Sequence, residues 1–115
     1  TSSIMSKKEL EYHVLKLLEQ QPDMTQRQIA KELNVSLGKT HYLVKSLIDV
    51  GWVKLDNFKH SGNKWGYAYL LTPNGIIEKA HITAEFLTRK QREFKELKLE
   101  IELLQEEVNQ NQKQD

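Results

Sequence analysis

Between residues 36 and 46, basic, hydrogen-bonding and small side chains recur, and no carboxylate follows until Asp49. Thr40, Leu43, Val44 and Leu47 are spaced as the buried face of a helix, which turns the other residues outward. A solvated helix face normally mixes charges, whereas a face that approaches phosphates must avoid carboxylates. The pattern predicts a surface that binds nucleic acid, made of Ser36, Leu37, Gly38, Lys39, His41, Tyr42 and Lys45.

These side chains suit the edges of bases in the major groove of duplex DNA. Lys39 can donate to guanine O6 or N7, and His41 and Tyr42 can bond to bases or phosphates. Leu37 can contact a thymine methyl group, and Gly38 lets the backbone approach closely. Each lysine alone is more often a solvated surface charge, so the prediction depends on the whole set.

Two further sets could contact the DNA backbone. Thr25, Gln26 and Arg27 stand at the start of a predicted helix, whose free N–H groups and side chains can donate to a phosphate. A polar, Gly-containing segment follows later in the chain and could reach the backbone or the minor groove; its candidate contacts are Lys59, His60, Asn63 and Lys64.

Three helices are predicted to position these residues. Apolar spacing and capping patterns place the helices at 6–20, 25–33 and 36–50, and Gly51 closes the third. Asn34, which tolerates the left-handed conformation, stands between the second and third helices. A short helix, a turn of three or four residues and a longer helix form the helix-turn-helix plan, in which the longer one enters the major groove.

After residue 51 the spacing of apolar residues changes from that of a helix to that of a strand. Residues 52–58 alternate as a strand does, residues 59–64 form a polar tip, and residues 65–71 are aromatic and β-prone. This predicts a hairpin, or wing, whose DNA contacts fall within 59–66, with its aromatic residues in the hairpin core. Thr72-Pro73 then begins a helix that runs to about Val108, and the Asn- and Gln-rich end, 109–115, is expected to fray.

The long helix carries an apolar seam that predicts a partner helix. The two heptad positions of the seam are strong in the last two heptads and weakened by Thr83 and Lys90. Ile77, Phe86 and Ile82 widen the stripe at its start, which suits packing on the globular domain. A homodimer is the commonest solution for such a seam, and the direction of the paired helices stays open. The predicted dimerisation residues are Ile76, Ala80, Leu87, Phe94, Leu97, Ile101, Leu104 and Val108.

Composition excludes several classes of protein. The chain has 115 residues, a formal net charge of +1 and no cysteine, which rules out disulfide scaffolds and thiolate zinc sites. Neither an H-E-x-x-H motif nor a Gly-rich phosphate loop occurs, so we expect no enzyme, no metal and no cofactor. With no membrane-length apolar run and no signal-peptide pattern, we expect a cytoplasmic protein.

The segment TQRQIAKELNVS, residues 25–36, followed by Gly51-Trp52-Val53, resembles the winged helix-turn-helix of MarR-type regulators. The run GYAYLLTPNGI, residues 66–76, before a long charged helix is more narrowly similar to the small MarR-like regulators associated with exopolysaccharide gene clusters. The resemblance implies a bacterial, cytoplasmic, dimeric regulator. Larger members bind small phenolic ligands between the dimerisation helices and the winged domain, but this chain has one helix after the wing, which leaves a small-molecule effector open.

We therefore predict a mainly α fold with a small β-hairpin (α+β). Its parts are a winged helix-turn-helix DNA-binding domain at 6–72, a dimerisation helix at 73–108 and a tail at 109–115. The predicted function is sequence-specific binding of double-stranded DNA by a transcriptional regulator. The alternative is a protein-interaction adaptor that recruits a partner through the last helix. A third hypothesis is single-strand binding by the hairpin aromatics.

Overall fold

A computed structural model describes the backbone of residues 5–60 and 64–113, and the side chains of 5–56 and 67–113. In chain order the elements are α1 (Lys7–Gln20), α2 (Gln26–Leu33), α3 (Leu37–Asp49), β1 (Val53–His60), β2 (Lys64–Leu71) and α4 (Pro73–Lys113). The predicted fold class, mainly α with one β-hairpin followed by a long helix, is confirmed.

Local side-chain chemistry sets where the first three helices begin. The hydroxyls of Ser6, Thr25 and Ser36 each accept a hydrogen bond from the backbone N–H three residues on, at 3.1–3.2 Å. At Thr25 the capping box is complete, because Gln28 Oε1 accepts from the Thr25 N–H at 2.8 Å. These bonds satisfy N–H groups that lack partners within a helix, so each start is fixed by the sequence itself.

The chain divides into two compact units, one up to Thr83 and one from Ala84. The core of the first unit is built from buried apolar residues of the three short helices, the loop before α2, β1 and α4: Leu10, Val14, Leu15, Leu18, Met24, Ile29, Leu33, Leu43, Val44, Leu47, Val53 and Ile82. The boundary predicted at residue 72 differs from this division because the first turns of α4 belong to the same core.

The hairpin strands are antiparallel, and the pairing runs from Val53 opposite Leu71 to His60 opposite Lys64. Both strands extend further than predicted, because the ladder continues through residues assigned to the polar tip; only 61–63 lie beyond it and outside the described backbone. Tyr69 N–H donates to Pro22 O at 2.9 Å, which ties β2 to the loop before α2.

The start of α4 docks on the turn after α3. Thr72 is its cap: the hydroxyl donates to Gly51 O at 2.6 Å and accepts from Gly75 N–H at 3.0 Å. Thr72 N–H also donates to Trp52 O at 3.0 Å. On the next turns, Lys79 Nζ lies 3.2 Å from Glu19 Oε1, which links α4 to α1.

Gly75 is required by this docking, and its replacement is our first prediction. A Cβ at Gly75 would overlap the carbonyl oxygen of Trp52 and lie 2.8 Å from its carbonyl carbon. Because backbone cannot move aside as a flexible side chain can, Gly75→Ala should cost about 1–3 kcal/mol of stability. Gly38→Ala is the matched control, since a Cβ there has nothing within 4 Å. Thermal unfolding in which both variants melt together would contradict this account.

Two expectations about α4 need correction. The helix does not fray at Asn109 but continues to Lys113, because Gln is a good helix former and Asn, though a weaker one, does not break a helix as Pro or Gly does. The apolar residues at the start of α4 were expected to pack on the globular domain. Ile82 is buried as expected, whereas Ile77 is 54% exposed.

Candidate nucleic-acid interface

The turn between α2 and α3 fixes how α3 is presented. Asn34 adopts the left-handed conformation, with φ 55° and ψ 46°, as predicted for a residue whose short polar side chain tolerates it. Val35 N–H donates to Ala30 O at 3.1 Å, which closes the end of α2. The buried face of α3 is also the predicted one, namely Thr40, Leu43, Val44 and Leu47.

The opposite side of α3 is exposed along its length. We call Leu37, Gly38, Lys39, His41, Tyr42 and Lys45 the α3 outer face; all six are exposed. Tyr42 is 61% exposed and Leu37 is 41% exposed. Ser46, which the apolar spacing also predicts to point outward, is instead half-buried, and its hydroxyl donates to Leu43 O at 2.8 Å.

The charges on this face are held loosely. Lys45 Nζ lies 3.9 Å from Asp49 Oδ2, and both side chains are about two-thirds exposed. An exposed pair of this kind stabilises a helix by only a few tenths of a kcal/mol. Lys45 is therefore available to a phosphate at small cost.

A cation from α1 joins the α3 outer face. Lys7 Nζ lies 5.9 Å from the centre of the Tyr42 ring, within the range of a cation–π contact. The sequence did not indicate Lys7 as a candidate, since it lies 35 positions before Tyr42 and meets it only after the helices pack. It adds positive charge beside Tyr42.

Gln26 connects three elements at the edge of the face. Its Nε2 donates to the Tyr69 hydroxyl at 3.2 Å, and its Oε1 lies 3.3 Å from His41 Nδ1. With Nδ1 as the donor, His41 keeps Nε2 free to accept from a base. Gln26 was predicted to contact phosphate; here it also positions His41, a role that sequence spacing could not indicate.

The hydroxyls of Thr25 and Ser36 serve as caps. A hydroxyl that accepts a capping bond still has its own hydrogen, so both residues retain a donor that a phosphate could use. Arg27, the third candidate near the start of α2, is exposed. The structure thus places Thr25, Gln26 and Arg27 at one helix end, as the sequence predicted, while contact with DNA stays a prediction.

Several wing candidates lie outside what the structure describes. Lys59, His60 and Lys64 have described backbone in the two strands but no described side chains, and Asn63 lies in the gap. Among the hairpin aromatics, Tyr69 is half-buried against the core. Tyr67 is 64% exposed, so its expected place in the hairpin core is wrong.

The second unit, taken by itself, presents the seam. From here on, the seam means only the part of the predicted seam that lies at 94–108. Its residues are Phe94, Leu97, Ile101, Leu104 and Val108, which are 46–66% exposed. Upstream, Leu87 is 56% exposed, and Lys90 Nζ lies 3.2 Å from Glu93 Oε2. In the first unit, the predicted dimerisation residues Ile76 and Ala80 are exposed as well.

Within the described ranges, no helix is long and apolar enough to span a membrane. In those same ranges, His, Asp and Glu nowhere gather in groups of three that could hold a metal ion.

A family model described as winged helix-turn-helix DNA-binding matches residues 7–54, which include α1, the helix-turn-helix and the start of β1. No curated protein matches significantly. Among solved structures, smu.1704 from Streptococcus mutans UA159 shares the fold, with a TM-score of 0.66 and 19% identity over 78% of this chain and 87% of that one.

Two further solved structures are similar to this chain: one is named as a transcriptional regulator, and the other contains DNA. The zinc-dependent MarR family transcriptional regulator AdcR is 27% identical over 79% of this chain, with a TM-score of 0.50. A point mutant of MepR from S. aureus, bound to an oligodeoxyribonucleotide, is 24% identical over 72% of this chain, with a TM-score of 0.53. This chain spans 62% of the first and 60% of the second.

The MarR-type resemblance is thereby confirmed as a similarity of sequence and fold, and the similar protein named as a transcriptional regulator is in keeping with the expectation that the chain is not an enzyme. The narrower similarity to exopolysaccharide-associated regulators stays a prediction. Residues 7–54 carry a winged helix-turn-helix DNA-binding domain, and the chain is similar in sequence and fold to a MarR family transcriptional regulator.

Proposed function

We propose that this protein is a sequence-specific transcriptional regulator that binds double-stranded DNA as a homodimer. In this proposal α3 lies in the major groove, and the wing contacts backbone or minor groove. The observation that carries it is the α3 outer face, which is exposed throughout and free of carboxylates before Asp49. We propose further that it acts in the bacterial cytoplasm.

Base reading is assigned to Lys39, His41 and Tyr42, and positioning to the phosphate contacts around them. Gln26 supports this assignment, because the bond to Tyr69 holds its amide where His41 can use it. Lys7 supports it as a cation beside the Tyr42 ring. Phosphate contacts fix a protein on the duplex, whereas contacts to base edges distinguish sequences.

The homodimer is supported by the seam. Its five residues are large, apolar and about half exposed in the single chain, and they recur at the 3–4 spacing with which two helices pack together. A second copy of this chain presents the same stripe, so one contact buries both. Two linked copies would then meet two half-sites about one helical turn of DNA apart.

A mobility-shift titration tests the function against its alternatives. A random-sequence duplex at low salt should be bound weakly, with affinity that falls steeply as salt rises. The adaptor alternative, in which α4 recruits a different protein, is favoured by the near-neutral charge of +1 and predicts no shift at all. Tighter binding of a single strand than of the duplex would favour the hairpin-aromatic hypothesis and contradict our proposal.

The wing lysines provide a second prediction. Lys59→Ala combined with Lys64→Ala should weaken binding to every duplex alike and lower the slope of log affinity against log salt by about two units, since each phosphate contact releases about one counterion. Lys16→Ala combined with Lys95→Ala removes the same charge from exposed sites elsewhere. An equal fall in slope for this control pair would refute a specific role for the wing.

A further inference from the structure

The a and d heptad positions of the second unit are apolar in its later part but not throughout. Taking Leu87 as position a, the a residues are Leu87, Phe94, Ile101 and Val108, and the d residues are Lys90, Leu97, Leu104 and Asn111. All are exposed on α4. From residue 94 onward, every a and d position up to 108 is apolar, so the paired region begins there.

The side-chain types in this region favour a particular number of helices. Ile101 and Val108 are β-branched and lie at a, while Leu97 and Leu104 lie at d. In parallel coiled coils, β-branched residues at a combined with leucine at d favour two helices over three or four. Leu99 and Leu103, also exposed, fall at the f and c positions, away from this contact.

The charges beside the seam favour parallel over antiparallel helices. The three g positions are all glutamate, namely Glu93, Glu100 and Glu107, and the e positions are Gln91, Lys98 and Gln105. In an antiparallel pair g faces g of the second helix, which sets glutamates opposite glutamates. In a parallel pair g faces e five residues on, which sets Glu93 opposite Lys98 of the second copy and the other glutamates opposite glutamines.

In the single chain Glu93 is already paired with Lys90 at 3.2 Å. This pair is half exposed and lies three residues apart on one helix, so it contributes only a few tenths of a kcal/mol. Exchanging it for Lys98 of the second copy is therefore inexpensive. Lys90, at a d position, would remain at the edge of the paired region.

We propose that residues 94–111 of two copies form a parallel, in-register, two-stranded coiled coil. The inference rests on the proposed homodimer and specifies its geometry. In a parallel coil both copies of α4 enter at the same end.

The absence of cysteine permits a direct test with single introduced thiols. Asn111→Cys at d should form an intermolecular disulfide under mild oxidation at least about tenfold faster than Gln110→Cys at c, because only facing d positions bring the Cα atoms within the roughly 4.4–6.8 Å that a disulfide needs. Leu104→Cys and Leu103→Cys form a second matched pair in mid-coil. We expect fast closure at 111 and 104 and slow closure at 110 and 103.

Each other outcome overturns the proposal. Fast disulfide formation at position 104 but not at 111 would indicate antiparallel helices that cross near Leu104. Equal rates within both pairs of variants would mean that the seam of one copy does not contact the seam of the other. Sedimentation of the reduced variants shows whether the parallel coil alone is wrong or the homodimer is wrong as well. A dimer without fast closure at 111 refutes only the parallel coil, whereas a monomer at micromolar concentration refutes the homodimer as well.

Discussion

Replacing Lys39 and Tyr42 together by alanine should remove the preference for an operator while leaving weak binding to any duplex. Each base contact is worth about 1–3 kcal/mol, so losing two should lower specific affinity by at least roughly 30-fold. Both side chains are exposed, Tyr42 at 61%, so folding should be unaffected. Competition titrations of operator against random duplex at fixed salt measure the effect.

Lys16→Ala combined with Tyr67→Ala is the matched control, because it removes an exposed lysine and an exposed tyrosine away from the α3 outer face. It should keep the operator preference. If the Lys39 and Tyr42 variant stays specific, α3 is not the reading helix. If the control loses binding instead, the hairpin aromatics carry the contact.

Placing charges in the seam should separate the dimer and weaken DNA binding without removing any contact to bases. Leu97→Asp combined with Ile101→Asp would bury carboxylates without partners at the centre of the helix contact, which costs several kcal/mol. The chain should sediment as a monomer at micromolar concentration. Affinity for a two-half-site operator should fall by about 10²–10⁴-fold, because the second half-site no longer benefits from linkage.

Leu99→Asp combined with Leu103→Asp is the control for charge on the same helix. Both leucines are 57% exposed but lie outside the seam, so this variant should remain dimeric and bind as before. An unchanged dimer after Leu97→Asp with Ile101→Asp would contradict the seam. Loss of the dimer in both variants would mean that the whole helix surface is used.

Features that depend on neighbours in the sequence could be predicted. The caps at Ser6, Thr25 and Ser36 and the left-handed Asn34 are local, and the structure has them as expected. The buried and exposed sides of α3 also follow from apolar spacing alone. The end of α4 was missed because a run of Asn and Gln residues does not stop a helix.

Features that depend on packing could not be predicted. Lys7 meets Tyr42, and Gln26 meets Tyr69, only once helices far apart in the chain have come together. The need for glycine at position 75 comes from one backbone carbonyl, that of Trp52. In each case the sequence supplies the residue type, and the tertiary structure supplies the partner.

The central claim is that two copies of α3 read a duplex in a sequence-specific way. Selection of bound fragments from a random duplex pool, followed by sequencing, tests it most directly. We expect enrichment of an inverted repeat whose half-sites are centred about 10 base pairs, or a multiple of one helical turn, apart. A bound pool with the same sequence composition as the starting pool would contradict the claim.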